Sequence, residues 1–415
     1  MEHYNISVSN LADIMGVSRS VAATWVKKGT FKSNTRETGE TILSTEDLIV
    51  IPEIREMLDS KWDEEMKVVP NRTYRSIELF AGAGGLAIGM EKAGFEHILL
   101  NEIDKDACQT LLRNRPNWHV AGGDIRELSF TRYKDQIDLL TGGFPCQTFS
   151  FAGKKAGFND TRGTLFFELA RAVKETNPKV FVCENVKGLA SHEGGKTLSI
   201  IKDAIADLGY TLIEPRVLHA VKYMVPQKRE RLILIAIRND YAEKVQYKWP
   251  SPYHRIMTLR DAFFKGELYD CDTPSSVSLA YSTKKAEVLK LVPQGGDWRD
   301  LDPKVAEEYM GASYKSGGGK TGMARRLSLD EPSLTLTCSP IQKQTERCHP
   351  TETRPLNVRE YARIQTFPDD WEFEGSIASQ YKQIGNAVPV NLAYALGRSL
   401  IRLLNQIDNI DKKSV

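Results

Sequence analysis

The chain has 415 residues, enough for two or three domains, and its 41% hydrophobic and 27% charged residues are typical of a globular protein. A net charge of +2 excludes a uniformly basic molecule, so any nucleic-acid surface must be local. The six cysteines include no CxxC pair, which argues against a disulfide framework or zinc ribbon and for a reducing compartment. We find no apolar run of the roughly 18 residues that a membrane span needs and no signal peptide, so we expect a cytoplasmic protein.

Residues 6–29 are predicted to form two short helices joined by a turn. Gly16 can end the first helix, and Ser18 can cap the second. The spacing resembles a helix-turn-helix, whose second helix could enter a DNA major groove. The side chains that would contact DNA are Arg19 and Thr24. The alternative is a helical hairpin used only for packing. We assign residues 1–70 to this module and its linker, with a further helix predicted over 45–66.

From residue 74 onward, short strands alternate with helices. The predicted strands cover residues 76–80, 97–103, 137–141, 179–183, 211–220 and 231–237. This order predicts an α/β fold with a parallel, doubly wound, Rossmann-like sheet. The alternation stops after residue 238, so we place a catalytic domain at 71–240 and a smaller domain at 241–353. Helices return in 354–408, which would complete the first domain, and 409–415 is predicted to be a charged tail.

A glycine-rich loop follows the first strand of this region. Gly82, Gly84 and Gly85 let the backbone approach a ligand closely at the start of a helix. Glu102 ends the next strand about 20 residues later, where a carboxylate can accept hydrogen bonds from two ribose hydroxyls. Asp124 follows the position where a third strand would end, and it could accept from an adenine amino group. Together these residues predict an adenosine site.

Two nucleoside cofactors fit such a site, a nicotinamide dinucleotide and S-adenosylmethionine. The loop nearly matches G-x-G-x-x-G, with Ala87 at the last position, so a dehydrogenase is a rival interpretation. A dehydrogenase would have no role for Cys146 and Glu184, two residues predicted to lie at the same edge of the sheet and described in the next paragraph. Their presence therefore favours S-adenosylmethionine over a nicotinamide dinucleotide.

A second group of polar residues is predicted at the same edge of the sheet. Cys146 follows a strand, two glycines and Pro145, a turn that can hold a thiol outside the packed interior. Taken alone, a free cysteine is more often a small buried hydrophobe. Glu184 ends another strand and would lie near that thiol. Alternation in the segment that leads into the last strand directs three more polar side chains to one face: Gln227, Arg229 and Arg231.

In their order and spacing these motifs resemble those of the DNA (cytosine-5) methyltransferases, specifically the bacterial restriction-modification type. The matching stretches are residues 80–85, 102, 124–125, 143–147, 184–186, 227–231, 354–360, 365–368 and 383–389. They cover most of residues 74–240 and 354–405. The family does not account for residues 1–70, and it predicts 240–353 only as a variable target-recognition domain.

The resemblance implies a covalent mechanism. Cys146, as a thiolate, would add to carbon 6 of cytosine so that carbon 5 can attack a methyl group. Glu184, in its acid form, would donate a hydrogen bond to ring nitrogen 3, which requires a pKa raised by burial or by the base. Arg231 would hold the exocyclic oxygen, and Arg229 would support the loop that carries Cys146.

S-adenosylmethionine is the implied cofactor, and we expect no metal. The glycine loop, the strand ends and a segment near the C-terminus would line its pocket. The candidate residues are Phe80, Ala81, Gly82, Gly84, Gly85, Leu86, Glu102, Ile103, Asp124, Ile125, Pro145, Asn386 and Val388.

The implied macromolecular partner is duplex DNA, bound by a monomer. Because carbon 6 is buried in the base stack, the cytosine would have to rotate out of the duplex. The loop after Cys146 would close over the DNA, and residues 241–353 would read the sequence. The candidate DNA contacts in these parts are Gln147, Ser150, Lys154, Arg162, Gln227, Arg325, Thr335 and Thr337.

Two alternative functions remain open. A transfer-RNA cytosine-5 methyltransferase would use the same chemistry on another nucleic acid, although the long insert and the N-terminal helices favour DNA.

A transcriptional repressor acting through residues 6–29 is compatible with the enzyme, which could repress its own promoter. A restriction endonuclease acting at the same DNA site would be a functional partner that need not bind the chain.

Overall fold

A computed structural model gives the fold of residues 5–35, 41–145, 165–315 and 321–413. The strands in these ranges are β1 (Asn5–Ser7), β2 (Asn34–Thr35), β3 (Thr41–Ser44), β4 (Tyr74–Leu79), β5 (Phe95–Glu102), β6 (Val120–Gly122), β7 (Leu139–Gly142), β8 (Val180–Val186), β9 (Tyr210–Leu212), β10 (Arg216–His219), β11 (Gln227–Lys228), β12 (Glu230–Arg238) and β13 (Ser333–Leu334). The helices of the first half are α1 (Val8–Met15), α2 (Arg19–Lys27), α3 (Pro52–Leu58), α4 (Trp62–Glu65), α5 (Gly85–Ala93), α6 (Lys105–Asn114), α7 (Leu165–Thr176) and α8 (Lys196–Asp207). Those of the second half are α9 (Asn239–Ala242), α10 (Leu259–Phe263), α11 (Thr283–Lys290), α12 (Pro303–Met310), α13 (Val358–Ile364), α14 (Ile377–Asn386) and α15 (Val390–Lys413).

An eight-stranded sheet lies at the centre, in the order β10-β12-β8-β7-β4-β5-β6, with β9 beside β12. Strands β4 to β8 run parallel, so their carboxyl ends meet at one edge, called here the active edge. The doubly wound α/β fold is confirmed. The fully parallel sheet is not, because β12 is antiparallel to β8 and β10. No α-helix separates β10 from β12, and a short connection of that kind joins antiparallel strands.

The predicted strand over residues 211–220 is two strands, β9 and β10. Both pair with β12, but at different positions along it. Pro215 lies between them and has no N–H with which to continue a ladder. The break places β10 at the end of the sheet, with His219 opposite Glu230 at the active edge.

The C-terminal helix α15 packs against α5, the helix that follows the glycine loop. A Cβ on Gly89 would lie 2.3 Å from Cβ of Ala393, and one on Gly397 would lie 2.7 Å from Cβ of Ala93. Only glycine permits so close an approach of the two helices. The helix also continues to Lys413, so residues 409–413 are helical and the predicted tail is wrong for them. Helix α14 was not predicted.

The N-terminal helices α1 and α2 form as predicted. Gly16 ends α1 with φ of 64°, and the Ser18 hydroxyl caps α2 by accepting from the amide of Val21 at 3.4 Å. A small antiparallel sheet in the order β1-β3-β2 completes the module. The single helix predicted over 45–66 is wrong: two shorter helices, α3 and α4, occupy part of it, and Pro52 stands at the first position of α3.

The region after β12 is only partly separate from the sheet. Tyr253 and Met257 belong to the same apolar cluster as the strands and α15. A distinct small cluster forms later, and its buried members are Val288, Leu289, Val292, Leu301, Ala306, Ala324 and Cys348. The parallel pair β11–β13 connects this lobe to the sheet. Among the helices of the described ranges, none has the length and apolarity needed to cross a membrane.

Candidate active site

The glycine loop lies at the active edge between β4 and α5. Three of its residues have positive φ: Phe80 at 58°, Gly82 at 56° and Gly84 at 88°. Positive φ is uncommon for a residue with a large side chain and is found mainly where the surrounding structure enforces it. The loop turns there and leads directly into α5. A Cβ on Gly82 would meet no heavy atom within 4 Å, so a ligand can approach the backbone closely at this residue.

Glu102 fixes this loop to the end of β5. One carboxylate oxygen accepts from the amide of Gly82 at 2.7 Å, and the other accepts from Ile103 and Asp104 at 2.8 Å each. Each carboxylate oxygen can accept more than one hydrogen bond, so acceptor capacity remains for hydroxyl groups. Next to it, the side chain of Ile103 is 65% exposed, an apolar surface at the mouth of the site. The pair suits the sugar and ring of a nucleoside.

Asp124 follows β6, as expected from the sequence. The guanidinium of Arg126 donates to its carboxylate at 3.0 Å, and the amide of Arg126 donates to it at 3.0 Å as well. The guanidinium bond, and then the amide bond, lower the pKa of Asp124 to about 2. Ile125 is buried beside it. The carboxylate is thus an acceptor only, as recognition of an amino group requires.

A segment near the C-terminus covers the glycine loop. A Cβ on Gly85 would lie 2.2 Å from the carbonyl oxygen of Val388 and 3.1 Å from Cβ of Ala387. Glycine at position 85 is therefore required for this contact. Asn386 precedes the contact, and its side-chain oxygen lies 3.3 Å from the thiol of Cys338. The structure thus brings the loop and residues 386–388 together, as the sequence predicts.

The other half of the active edge is formed by β7, β8 and β12. Glu184 on β8 and Arg231 on β12 form an ion pair, with side chains only 12% and 11% exposed. The chain leaving β7 passes beside this pair, because a Cβ on Gly143 would lie 2.8 Å from a carboxylate oxygen of Glu184. Asn185 fixes the same segment by donating to the carbonyl of Phe144 at 2.9 Å. Gly143, three residues before Cys146, therefore lies against a carboxylate that is paired with a guanidinium.

The predicted nucleophile Cys146 lies outside the described residues. So do four of the candidate DNA contacts: Gln147, Ser150, Lys154 and Arg162. Their roles remain predictions based on the sequence.

Gln227 and Arg229 lie in the interior and not at the DNA-facing surface. The fully buried amide of Gln227 donates to Gln365 at 2.8 Å and accepts from the amide of Leu336 at 2.9 Å. The predicted contact between Gln227 and DNA is therefore not possible in this conformation. Arg229 is 2% exposed and donates to the carbonyls of Leu336 at 3.3 Å and Gly385 at 3.0 Å. Burial lowers the pKa of Arg229, and the neighbouring positive charge of Arg231 lowers it further.

Arg229 thus links Leu336 in the small lobe to Gly385, which precedes the segment that covers the glycine loop. Within the described residues its hydrogen bonds do not go to the loop after β7, so the predicted support of that loop is not seen there. The hydroxyl of Thr335 donates to Lys228 at 2.6 Å, and that of Thr337 to Ser339 at 3.2 Å. Arg325 lies 3.3 Å from Asp297. These three candidate DNA contacts have internal partners here.

The two N-terminal candidates are on the surface. The side chain of Arg19 is 74% exposed and lies 3.8 Å from Glu331, and Thr24 is exposed with its hydroxyl bonded to Ser20. Elsewhere, no cluster of three or more metal-binding side chains occurs within the described ranges.

Sequence reasoning missed two residues that shape the site. Asn185 was part of a recognised motif, but nothing in its spacing indicated that it holds Phe144. Glu78 was read only as part of a strand, although a carboxylate in the middle of an apolar strand is itself a signal. Burial raises the pKa of Glu78 to about 8, and a hydrogen bond with Thr141 lowers it in part.

Comparison with known proteins gives a consistent result. Residues 74–402 match the family model described as C-5 cytosine-specific DNA methylase. Type II methyltransferase M.Eco47II of Escherichia coli is 58% identical over 403 residues, covering 97% of this chain and 96% of that protein. Type II methyltransferase M.PspPI of Psychrobacter sp. (strain TA137) is 56% identical over 405 residues, covering 97% of each. These alignments also include most of the residues before position 74.

A structural match supports the fold alone. A crystal structure described as a proposed DNA modification methyltransferase from an Escherichia coli prophage aligns with a TM-score of 0.59 and 24% identity. The match covers 80% of this chain and all of that one.

Proposed function

The chain belongs to the C-5 cytosine-specific DNA methylase family, and from this premise we propose a role for each group at the active edge. It is a sequence-specific DNA (cytosine-5) methyltransferase that uses S-adenosylmethionine. The bound cofactor supplies a methyl group on a positively charged sulfur, which a carbon nucleophile can attack. The residues of the chain have to make carbon 5 of cytosine such a nucleophile.

Cys146 supplies the required electrons. Its thiolate adds to carbon 6 of the cytosine, and the ring electrons move toward nitrogen 3, which makes carbon 5 nucleophilic. After carbon 5 has gained the methyl group, water takes the proton from carbon 5, and the electrons of that C–H bond form the double bond between carbons 5 and 6. The bond between sulfur and carbon 6 breaks at the same time, and its electrons leave with the sulfur as the thiolate of Cys146. The proton that nitrogen 3 gained during the addition leaves again as the double bond between carbon 4 and nitrogen 3 forms anew.

Glu184 and Arg231 act on the ring during this addition. Glu184, protonated when the base displaces it from Arg231, gives this proton to nitrogen 3 as the thiolate adds, and Arg231 donates hydrogen bonds to the exocyclic oxygen. The observation that carries this assignment is the position of Gly143 against the Glu184 carboxylate, which in turn pairs with Arg231. The chain leading to Cys146 thus passes beside this ion pair.

The cofactor pocket fits the geometry of the other half of the edge. Glu102 would accept from the ribose hydroxyls, since its carboxylate keeps acceptor capacity and is already held by three backbone amides. Asp124 would accept from the adenine amino group, with Ile103 and Ile125 against the ring. The remaining candidates would surround the methionine part of the cofactor. These are Phe80, Ala81, Gly82, Gly84, Gly85, Leu86, Pro145, Asn386 and Val388.

Duplex DNA would lie across the active edge, bound by one copy of the chain. The target cytosine leaves the base stack to reach the thiol, and Gln147, Ser150, Lys154 and Arg162 contact the DNA around it. The lobe between residues 241 and 353 reads the neighbouring bases. When DNA binds, Arg325 leaves Asp297 and contacts the DNA. The chain from Thr335 to Thr337 positions that lobe. The N-terminal helices form a helix-turn-helix that also binds duplex DNA.

The two compared relatives are named Type II methyltransferases, which supports a role in restriction-modification. In that role the enzyme would act in the cytoplasm and protect host DNA from an endonuclease that cuts the same site. A transfer-RNA substrate is not favoured by these relatives, and methylation assays on both nucleic acids would separate the two.

Bisulfite sequencing of DNA from cells that express the protein tests the proposal. We expect 5-methylcytosine at one short recurring sequence, and none in cells that express the Cys146→Ser variant at the same level. Methylation that persists with this variant would contradict the assigned role of Cys146.

A further inference from the structure

The N-terminal module, residues 5–66, is fixed to the catalytic domain next to the active edge. Asp13 at the end of α1 lies 2.9 Å from the ammonium of Lys228 on β11, and Glu331 lies 3.7 Å from the same ammonium. Lys228 belongs to the strand pair that links the sheet to the small lobe. Because Arg19 of α2 also lies 3.8 Å from Glu331, the module contacts both the sheet side and the small-lobe side of the junction where β11 and β13 pair.

Apolar packing holds the same orientation. A Cβ on Gly16, in the turn between α1 and α2, would lie 2.6 Å from a ring carbon of His219. Val221 of the catalytic domain and Ile256 of the region after β12 share one buried cluster with the module. The members of that cluster from the module are Ile6, Leu11, Ala12, Ile14, Ala22, Leu43, Leu48, Ile51, Ile54 and Met57. A module attached only by a flexible linker would have no shared core of this kind.

A second attachment lies at the other end of the module. The amide of Lys61 donates to the hydroxyl of Ser251 at 2.8 Å, and the carboxylate of Glu65 accepts from the amide of Ser251 at 3.0 Å. Arg402 on α15 pairs with Glu65 at 2.9 Å. Contacts at both ends restrict rotation of the module against the sheet.

The turn between α1 and α2 lies close to the catalytic groups. His219, which touches Gly16, is opposite Glu230 in the β10–β12 ladder, and the next residue, Arg231, is opposite Val186 on β8. Adjacent strands are about 5 Å apart, so His219, on which the turn packs, belongs to a strand about two spacings, or roughly 10 Å, from the strand that carries Glu184. DNA bound at the active edge would extend beyond this distance on either side of the target base.

Helix α2 presents an uncovered polar face. Ala22 is buried against α1, whereas Ser20, Thr24, Lys27 and Lys28 at the opposite face and the end of the helix are exposed. The helix contains no acidic residue. A face with hydroxyl and ammonium groups but no carboxylate suits the phosphates of a duplex.

We infer that the N-terminal module binds the duplex that flanks the target site, in the same complex in which the cytosine is methylated. This inference rests on the proposed binding of duplex DNA at the active edge, and it specifies which DNA the module contacts. The module forms an extension of the catalytic surface on the β10 side. Lys27 and Lys28 contact phosphates of one flanking arm, and the contact increases affinity for DNA without changing the chemistry at the cytosine.

Duplexes with arms of different length test this inference. A duplex already methylated on one strand offers a single target cytosine, which fixes the orientation of the enzyme on the site. Shortening one arm to less than about half a helical turn, roughly 5 base pairs, should raise the KM of the unaltered enzyme for DNA about tenfold, with kcat unchanged. Shortening the other arm should leave KM unchanged.

The double variant Lys27→Ala/Lys28→Ala should have the raised KM on the long duplex, with no further rise when the arm is shortened. For this variant, the slope of log KM against the logarithm of the salt concentration should be lower by about 2, the value for two lost phosphate contacts. Lys134 and Lys174 are exposed at the opposite edge of the sheet, so Lys134→Ala/Lys174→Ala is the matched control and should behave like the unaltered enzyme.

Binding of the same duplexes, followed by fluorescence anisotropy, reports the arm contact independently of methyl transfer. An affinity that does not depend on either arm would overturn the inference, as would a double variant that keeps the full dependence. Binding with the expected arm dependence but without methylation would instead refute the proposed chemistry and leave the flanking contact supported.

Discussion

The two halves of the active edge are built on different principles. One half, called here the cofactor half, consists of the glycine loop and the ends of β5 and β6. In it the carboxylate of Glu102 is held by three backbone amides, so its position is set by the fold. The other half, called here the base half, consists of the ends of β7 and β8 and the start of β12. In it Glu184 is held by the side chain of Arg231. In the proposed mechanism the cytosine takes hydrogen bonds from both of these groups, so their ion pair would have to loosen when the base arrives. The proposal therefore requires the base half to exchange partners on binding, whereas the cofactor half already has its backbone bonds in place.

The largest expected effect comes from removing the nucleophile of the base half. Cys146→Ser should abolish methyl transfer, because an alcohol is almost never ionised at neutral pH and cannot add to carbon 6. The affinity for S-adenosylmethionine, measured by isothermal titration calorimetry, should stay unchanged because the cofactor half is intact. Loss of cofactor binding in the variant would show that the two halves are not independent.

Glu184→Gln should have the next largest effect, lowering kcat by roughly 100- to 10,000-fold, the usual range for a lost proton donor. A glutamine can still accept from Arg231, so the pair geometry is kept while the proton is lost. Single-turnover assays at saturating DNA and cofactor measure this step. A variant with normal kcat would exclude Glu184 as the acid.

Glu102→Gln should weaken cofactor binding by roughly 10- to 100-fold, since hydrogen bonds to a charged acceptor are replaced by weaker ones. At saturating cofactor, kcat should change much less. The control is Glu96→Gln, an exposed residue at the other end of the same strand. Equal weakening in both variants would indicate a general loss of structure and not a specific contact.

The difference between the halves was only partly predictable. The strand ends that carry Glu102, Asp124 and Glu184 followed from the alternation of strands and helices. Alternation also placed Arg231 at the edge, but it predicted the same face for Gln227 and Arg229, which are buried. Their partners, Leu336 and Gly385, lie more than one hundred residues away in the chain, and no local pattern encodes such a contact.

The N-terminal module shows the same limit. Its helix ends follow from Ser18 and Gly16, whose capping roles are local and recognisable in sequence. Its place beside the active edge depends on Asp13 meeting Lys228, two residues with no sequence signal that pairs them.

The smallest expected effect is on stability, at a residue between the two halves. Glu78 on β4 lies opposite Leu100 of β5 and Thr141 of β7. Because burial raises its pKa to about 8, the folded state binds the proton more tightly than the unfolded state. The stability it contributes is complete below about pH 4.5 and is lost as pH rises toward about 8, by at most about 1.4 kcal/mol per pH unit.

Glu78→Gln should therefore flatten the fall in the free energy of unfolding between pH 5 and pH 8, as measured by urea denaturation at several pH values. The exposed Glu243→Gln is the control and should keep the slope of the unaltered protein. An unchanged slope in Glu78→Gln would mean that this carboxyl is ionised in the folded protein.

The central claim is that a sulfur atom of the base half forms a bond to the target cytosine. Duplex DNA with 5-fluorocytosine at the target position tests it most directly, because fluorine replaces the proton that must leave carbon 5 and so traps the adduct. With S-adenosylmethionine present, mass spectrometry of the digested complex should find the DNA attached to Cys146. Attachment to another residue, or no attachment by an enzyme that methylates normal DNA, would contradict the account.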